Sequence, residues 1–579
     1  MGEPAPTGGN MIRVGILAAG LFAVLQAASM LPRTIIPGDN PPAVLSGQTA
    51  RFQPRAGAVA NRSAVAVDTV GATTYDWQSS GPMYRFLVNS PDYGIHVTWM
   101  YSAELGGTAF SDRNMRYNFY DYAMSAWNWI DSDKVQSGVS VFGERSGYGS
   151  LAVDPSTGAA VIGRHSGAPA RPGVARDIAP GAGIFEHADA SPIGVDCQWP
   201  PIAVGPGGAI RQLGMLASTY ELDYMQVSTW PNYGAAIRGF DPSPGFPTHN
   251  IAASRVSQKV CCTWNSSTEP ATVSYYRVSA DGGMTWGDVV ALAAPAAFGG
   301  DTVSSFHVTG SFPYYDRQDS LHLVTTIMPV VNDTGYVTPV GIWHWSGGTW
   351  SRIHRAGCDP SNLEASVGYN ALYACRPSLG ENAQGELFVA WEQFDSANVE
   401  PMTNLLRADV FVSASYDGGA TWIPGIKVTS AGTTSCRFPC IMDWGCSGSD
   451  IVASYEVDEV AGFGAVGEGP VTVNPIVVGH VRSDGLLGVD RQGAARLTLV
   501  APTMVASTTV LGYSIPFGGS VSLDVFDAAG RNVSMLVDCY QAAGNYSARW
   551  NVSDLPRGCY VARLTSGQGS ISRKLVLTR

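Results

Sequence analysis

Two short stretches of this chain repeat the same chemically distinctive residues in the same order. Ser279-Ala280-Asp281-Gly282-Gly283-Met284-Thr285-Trp286 and Ser415-Tyr416-Asp417-Gly418-Gly419-Ala420-Thr421-Trp422 agree at six of eight positions. Their chemistry is that of hydrogen bonds, not of bonds made and broken. An Asp carboxylate in a turn accepts from nearby backbone N–H groups, Gly permits positive φ, and an indole packed across the hairpin base excludes water. Each stretch follows an alternating run, TVSYYRVS or DVFVSAS, so each is predicted to form a hairpin. HWSGGTW at 344–350 is a decayed third copy without the Asp.

Other reactive residue types occur without the spacing that reactions require. The nine His are scattered, with no HExxH pair to hold a hydrolytic metal. His165-Ser166-Gly167 is not a G-x-S-x-G elbow, and no phosphate-binding or dinucleotide fingerprint appears. The acidic turns DRQDS (316–320) and DSD (131–133) could take Ca²⁺, but lone acidic turns are usually solvated, so no cofactor is expected. The ten Cys include no CxxC pair. Disulfides of an oxidising compartment are the expectation, with Cys436–Cys440 or Cys436–Cys446, Cys358–Cys375 and Cys539–Cys559 as local candidates.

The elements that position these residues read as strands throughout. Among 579 residues only 14% are charged, against ~25% in an ordinary globular chain. The 67 Gly and 36 Pro break the sequence into short apolar runs without helical spacing, which predicts an all-β protein. A unit of about fifty to sixty-five residues recurs, a period typical of propeller blades. Its copies lie at 84–102, 147–167, 198–217, 259–266, 310–328, 375–394 and 436–459, and Trp127, Trp230, Trp286, Trp350 and Trp422 follow in the second halves. Seven blades are favoured, and the count becomes six if 147–190 is an insertion. The fifteen Trp and twenty-four Tyr could stack on sugars, but filling sheet faces is the simpler account.

At the N-terminus, Arg13 precedes the apolar run Val14–Ala28. That run is short for a bilayer span of ~20 residues and suits a secretory signal peptide, assigned to 1–29. An extension or linker is expected over 30–75, the propeller over 76–490, and a small immunoglobulin-like β-sandwich over 491–579. No transmembrane helix is expected in the mature chain. A net charge of −12 without a basic run argues against nucleic acid as a partner.

The paired turns resemble the Asp-box (BNR) repeats of sialidases and related β-propellers. In that family the box sits between the third and fourth strands of a blade, away from the catalytic face. The resemblance implies structural roles for Ser279, Asp281, Gly283, Thr285 and Trp286, and for Ser415, Asp417, Gly419, Thr421 and Trp422. It also directs attention to sialidase machinery: arginines gripping a carboxylate, an Asp acid/base, and a Tyr activated by a Glu. Arg437-Phe438-Pro439 before a strand ending Tyr455-Glu456 is similar to the family's Arg-Ile-Pro and the Glu-ending strand after it; Arg376-Pro377 before Trp391-Glu392 repeats the theme. Arg376, Glu392, Arg437, Tyr455 and Glu456 are the catalytic candidates. Against them, Pro200 and Pro313 occupy the same place in units lacking Arg, and no catalytic Asp is identified.

From about Leu499 the period changes, and the tail resembles the type A C-terminal sorting domain of the type IX secretion system. Tyr513–Pro516, Val521–Phe526, Asp527-Ala528-Ala529-Gly530-Arg531, Ala543–Tyr546, Trp550, Gly558-Cys559-Tyr560 and Arg573–Leu577 carry that resemblance. It implies engagement of outer-membrane secretion machinery and release to the cell surface or exterior. The expected function is recognition of an extracellular glycan or protein ligand. The alternatives are a sialidase-type exo-glycoside hydrolase and a structural surface-layer component.

Overall fold

The computed structural model describes residues 33–34, 66–107, 109–190, 196–241, 247–268, 271–298, 302–332, 334–357, 363–429, 432–445, 450–482, 497–515, 519–541, 544–553, 555–566 and 569–578. The expected signal peptide, and most of the expected 30–75 linker, lie outside them. The chain forms two compact units, 1–486 and 487–579.

Among the described residues the first unit contains seven sheets, one for each sequence copy, antiparallel except where Arg33–Thr34 pairs in parallel with Thr334–Gly335 in blade 5. Their innermost strands are Leu87–Ser90, Leu151–Val153, Ile202–Val204, Asn250–Ala253, Val303–Tyr315, Ala374–Glu381 and Ser435–Ile441, and each packs against the next. The last returns to the first, with Arg85 Nη1 donating to Ile441 O (2.8 Å) and Asn89 N to Asp443 Oδ1 (3.1 Å). The ring is therefore a closed seven-bladed β-propeller. The 147–190 segment is no insertion; it is blade 2, with strands Ala160–Ser166, Arg171–Asp177 and Phe185–Asp189.

Closure involves a strand that the linker expectation hid. Ala66–Thr73 pairs with Asn474–Arg482 and forms the outer strand of blade 7, from Ala66 opposite His480 to Thr73 opposite Asn474. The ring thus takes strands from both ends of the unit, which leaves no open seam. From Thr73 the chain runs inward. Ser80 O accepts from Asn370 Nδ2 of blade 6 (2.8 Å), Met83 O from Asn250 Nδ2 of blade 4 (2.9 Å), and Tyr84 Oη donates to Trp199 O of blade 3 (3.3 Å). Met83 and Tyr84 are fully buried. Residues 74–86 therefore cross the upper mouth of the axial channel, meaning the face that carries the loops between second and third strands.

The recurring Pro has a backbone cause. In blades 6 and 7 the pairing register shifts between Cys375 and Ser378 and between Arg437 and Cys440, and Arg376 (φ 52°) and Phe438 (φ 53°) sit at the shift. Trp199 (φ 47°) does the same before Pro200. A Pro, having no N–H to offer the ladder, suits the bulge that starts an inner strand.

The two repeated turns fall between the third and fourth strands of blades 4 and 6, at 271–279/290–292 and 405–415/426–427. Their bonding is the same. Asp281 Oδ1 accepts from Ser279 Oγ (2.8 Å) and Thr285 N (2.9 Å), and Asp417 Oδ1 from Ser415 Oγ (2.8 Å) and Thr421 N (2.8 Å). The indoles, however, reach beyond their own hairpins, although Trp422 Nε1 also donates to Gly419 O of its own turn (3.2 Å). Trp286 packs on Tyr224 (4.9 Å) and Phe240 (4.8 Å) of blade 3, and Trp422 on His344 of blade 5 (5.4 Å). A Cβ on Gly283 would lie 1.8 Å from Tyr224 Oη, and one on Gly419 2.2 Å from His344 Cε1. Each turn is a clamp onto the preceding blade, and its second Gly is required both by positive φ and by that approach.

The expected disulfides are absent among the described residues. Cys375, Cys436, Cys440, Cys539 and Cys559 are free, while Cys358 and Cys446 lie outside the description. Cys436 and Cys440 lie opposite Val457 and Ser454, three positions apart on the neighbouring strand, ~10 Å at ~3.3 Å per residue and beyond a bridgeable Cα separation of ~7 Å. Cys539 lies on an edge strand, opposite Val521 and hence Ser566, seven positions along from Cys559.

The second unit is a two-sheet sandwich. Thr498–Val500, Thr509–Ile515 and Gly544–Trp550 form one sheet; Met504–Val505, Gly519–Asp527, Asn532–Gln541, Gly558–Ser566 and Gly569–Leu577 form the other. Trp550, Leu511, Leu523, Leu564 and Leu575 fill its core.

Candidate functional site

Blades 6 and 7 bring three of the sequence candidates together. Glu392 accepts from Arg376 Nη1, from Arg437 Nε (3.1 Å) and Nη2 (3.2 Å), and from Phe438 N (3.1 Å). Arg376 and Glu392 side chains are wholly buried, and that of Arg437 is 3% exposed. Burial alone would raise the Glu392 carboxyl; the Arg437 and Arg376 charges outweigh it and hold it down at about 2. These guanidiniums are occupied by a protein carboxylate and closed off from solvent. The cluster joins two blades and leaves no room for a substrate carboxylate.

The remaining candidates do not complete a catalytic set. Tyr455 and Glu456 are consecutive on the strand Asp450–Asp458 and so face opposite sides of the sheet. Tyr455 packs among Phe388, Ile441 and Val477 between blades 6 and 7, where burial raises its phenol. Glu456 lies across from Arg437 in the ladder, and burial, with Asp76 and Asp458 nearby, keeps its carboxyl well above the usual range. Glu456 therefore cannot activate Tyr455.

A different centre, unmarked in the sequence, lies on the upper face where blades 1, 2 and 3 meet. Arg113 ends the loop before the strand Asn114–Asp121; its Nε donates to Ser146 O (3.1 Å) and its Nη1 to Tyr75 Oη (3.3 Å). Its guanidinium sits over the rings of Tyr75 (5.2 Å) and Tyr148 (4.9 Å), whose hydroxyls are hydrogen-bonded to each other. Among the described residues no carboxylate forms an ion pair with Arg113, although only 7% of the residue is exposed. Arg145, exposed beside it, donates to Phe110 O (2.9 Å) and Ala109 O (3.2 Å). Arg164, by contrast, is paired with Glu144 (2.7 Å) and Asp189 (2.6 Å).

His165 completes the centre from the end of the strand Ala160–Ser166. Its Nδ1 accepts from Trp199 N (3.0 Å), which assigns the proton to Nε2. Burial, reinforced by Arg113, Arg145 and Arg164, pushes it well below 6.5, so the ring is neutral. The half-buried indoles of Trp77 and Trp199 flank Tyr148 at 5.8 and 6.5 Å. The arrangement can hold an anionic group at Arg113 and Arg145 and offer aromatic faces to its apolar parts. Tyr75, Arg113, Tyr148, His165 and Trp199 come from five separate segments without common spacing.

Comparison with known proteins bears on the tail first. Residues 509–578 match the family model described as a secretion system C-terminal sorting domain. The tail is a sorting domain. It directs the protein to the cell surface or the exterior. The turn landmark of the sorting domain is built on Asp527, whose Oδ1 accepts from Ala529 N (2.9 Å) and Arg531 N (3.0 Å); Tyr513 stacks on Tyr546 at 5.7 Å. No curated protein matches the chain.

Similar solved structures include a family PL25 ulvan lyase (11% identity, 71% of this chain and 96% of that chain, TM-score 0.43). A Penicillium chrysogenum α-L-arabinanase (10%, 72% and 98%, TM-score 0.36) and a Hadza microbial sialidase (14%, 64% and 74%, TM-score 0.34) are also similar. Likeness at this level assigns no activity to the chain.

Proposed function

We propose that this protein is an exported propeller, carried by the type IX route, that recognises an acidic extracellular glycan at the Arg113 centre. The observation that supports the reading is a nine-tenths-buried guanidinium with no carboxylate partner among the described residues. Leaving a buried charge uncompensated costs several kcal/mol, and an anionic ligand offsets that cost only when bound. Trp199 and Trp77 supply faces for a sugar ring, while neutral His165 and the tyrosine pair add hydrogen-bonding groups without negative charge. Against the chain's net charge of −12 the centre is locally positive, which favours capture of an anion there.

The test is calorimetric titration of the full chain with uronate-bearing, sulfated and neutral oligosaccharides. Binding of acidic members is expected, with Arg113→Gln weakening it by roughly 2 kcal/mol or more. Equal affinity for neutral and acidic glycans, or an unaffected Arg113→Gln variant, would overturn the reading. Release assays with sialosides are expected to show no turnover that depends on Arg437, because that side chain is held by Glu392.

A further inference from the structure

The lower half of the axial channel carries a second excess of positive charge, independent of the Arg113 centre. A cavity of about 70 Å³, open to solvent on one side, lies between the inner strands of blades 1, 2, 3, 4, 5 and 7. Two arginines reach into it from different sides. Arg85 arrives from blade 1, with Nη1 on Ile441 O (2.8 Å), Nη2 on Leu379 O (3.0 Å) and its guanidinium over Phe312 (4.7 Å) and Tyr314 (5.4 Å). Arg255 arrives from the first turn of blade 4, with Nη1 on Asn89 O (2.9 Å) and Nη2 on Asp443 Oδ2 (2.6 Å). Its side chain is 9% exposed. Arg317, from the corresponding turn of blade 5, lies over Trp444 at 4.7 Å, and Arg255 covers the same indole at 5.2 Å.

The compensation is incomplete. Asp443 is fully engaged by Arg255 and Asn89 N. Glu381 lies 3.4 Å from Arg317 Nε, and burial raises its carboxyl to about 7, so near neutrality it carries only part of a charge. Among the described residues, Arg85, Arg255 and Arg317 thus have two carboxyl groups beside them, Asp443 and the raised Glu381. Burial depresses the Arg255 guanidinium, and the neighbouring Arg85 and Arg317 charges add to that effect. The bonds named above use two N–H groups each of Arg85 and Arg255, while a guanidinium has five.

We infer that this axial cavity binds a compact oxyanion, such as sulfate, phosphate or a small carboxylate, between Arg85 and Arg255. The planar forks suit such oxygens, and the aromatic walls exclude the water that would screen the contact. Because Arg85 and Arg255 enter from opposite sides of the ring, the bound anion ties blades 1 and 4 together across the axis.

Titration of the full chain with sulfate and with phosphate, at constant ionic strength maintained with chloride, tests this by calorimetry and by melting temperature. Saturable binding with a rise in Tm is expected for both anions. Arg85→Gln is expected to weaken binding by about tenfold or more. Asp443→Asn, which removes the competing carboxylate, should strengthen it, a change of sign that loss of folding cannot mimic. Sulfate, a dianion throughout, should also bind more weakly as pH rises through about 7, where Glu381, faced by Arg317, Asp316 and Tyr314, ionises. A response that is linear and non-saturable, that is abolished by Arg113→Gln but not by Arg85→Gln, or that Asp443→Asn weakens, would overturn the inference. The Arg113 variant separates failure here from failure of the glycan site.

Discussion

The seam between blades 6 and 7 and the upper pocket of blades 1 to 3 are both built on buried arginine, and they differ in what faces it. In the seam, Arg376 and Arg437 meet Glu392, and every charge has a protein partner at hydrogen-bond distance. In the pocket, Arg113 meets phenol rings and a carbonyl, with like-charged Arg145 alongside. The lesson is that residue type does not make a site; compensation decides it. A fully compensated ion cluster is structure, whereas an uncompensated one is a place where a ligand changes the energy.

The contrast can be broken by substitution. Glu392→Gln leaves two buried guanidiniums facing a neutral amide and is expected to cost about 3–5 kcal/mol in chemical denaturation. Arg113→Gln, removing a charge that no carboxylate compensates among the described residues, should leave the stability of the ligand-free chain unchanged or raise it. If the two variants destabilise equally, the distinction between seam and pocket fails.

The blade clamps offer a calibration of intermediate size. Gly419→Ala meets both a φ of 91° and the His344 ring and is expected to cost about 2–3 kcal/mol. Its neighbour Gly418→Ala, at φ 70° with open space around it, should cost about 1 kcal/mol. Equal costs would mean that the clamp does not press on blade 5.

Acid separates the two regions by sign. Beside the seam, Asp76 caps Gly464 N (2.6 Å) and Ala465 N (3.1 Å), yet burial raises its carboxyl from 3.8 to about 6, and Glu456 and Asp458 are raised further. A carboxyl raised in the fold stabilises below its unfolded value, and that contribution is lost as pH climbs from 3.8 through about 6. His165 in the pocket is depressed instead, so its neutral form favours the fold above 6.5 and disfavours it as pH falls below. Denaturant midpoints between pH 4 and 7 should therefore rise relative to the parent at the upper end in Asp76→Asn and at the lower end in His165→Gln. The same slope in both variants would contradict the assignment.

What could be read without coordinates followed from locality. The seven inner strands announce themselves because each pairs with its sequence neighbour, and the alternating runs plus turn residues lie within one unit. The Ser-x-Asp-x-Gly-x-Thr-Trp turns were equally legible, since their hydrogen bonds span a few residues; where the indole points was not, because its partner belongs to another blade. Ala66–Thr73 is hard to read as a strand because its pattern is weak and its partner lies at the far end of the unit. Arg376 and Arg437 look catalytic in a linear reading, and only their shared approach to Glu392 shows them as a tie. The Arg113 centre had no signal at all, being assembled from five segments that only the closed ring brings together.

The strand Ala66–Thr73 has one more consequence, which concerns the order in which the molecule is made. It leaves the ribosome before the innermost strand of any blade, yet its partner Asn474–Arg482 follows the whole of the rest of the ring. A chain broken off anywhere in between carries an orphaned leading edge and nothing to zip it to. The sorting tail is encoded after that partner, so only molecules already long enough to lock themselves shut ever carry it.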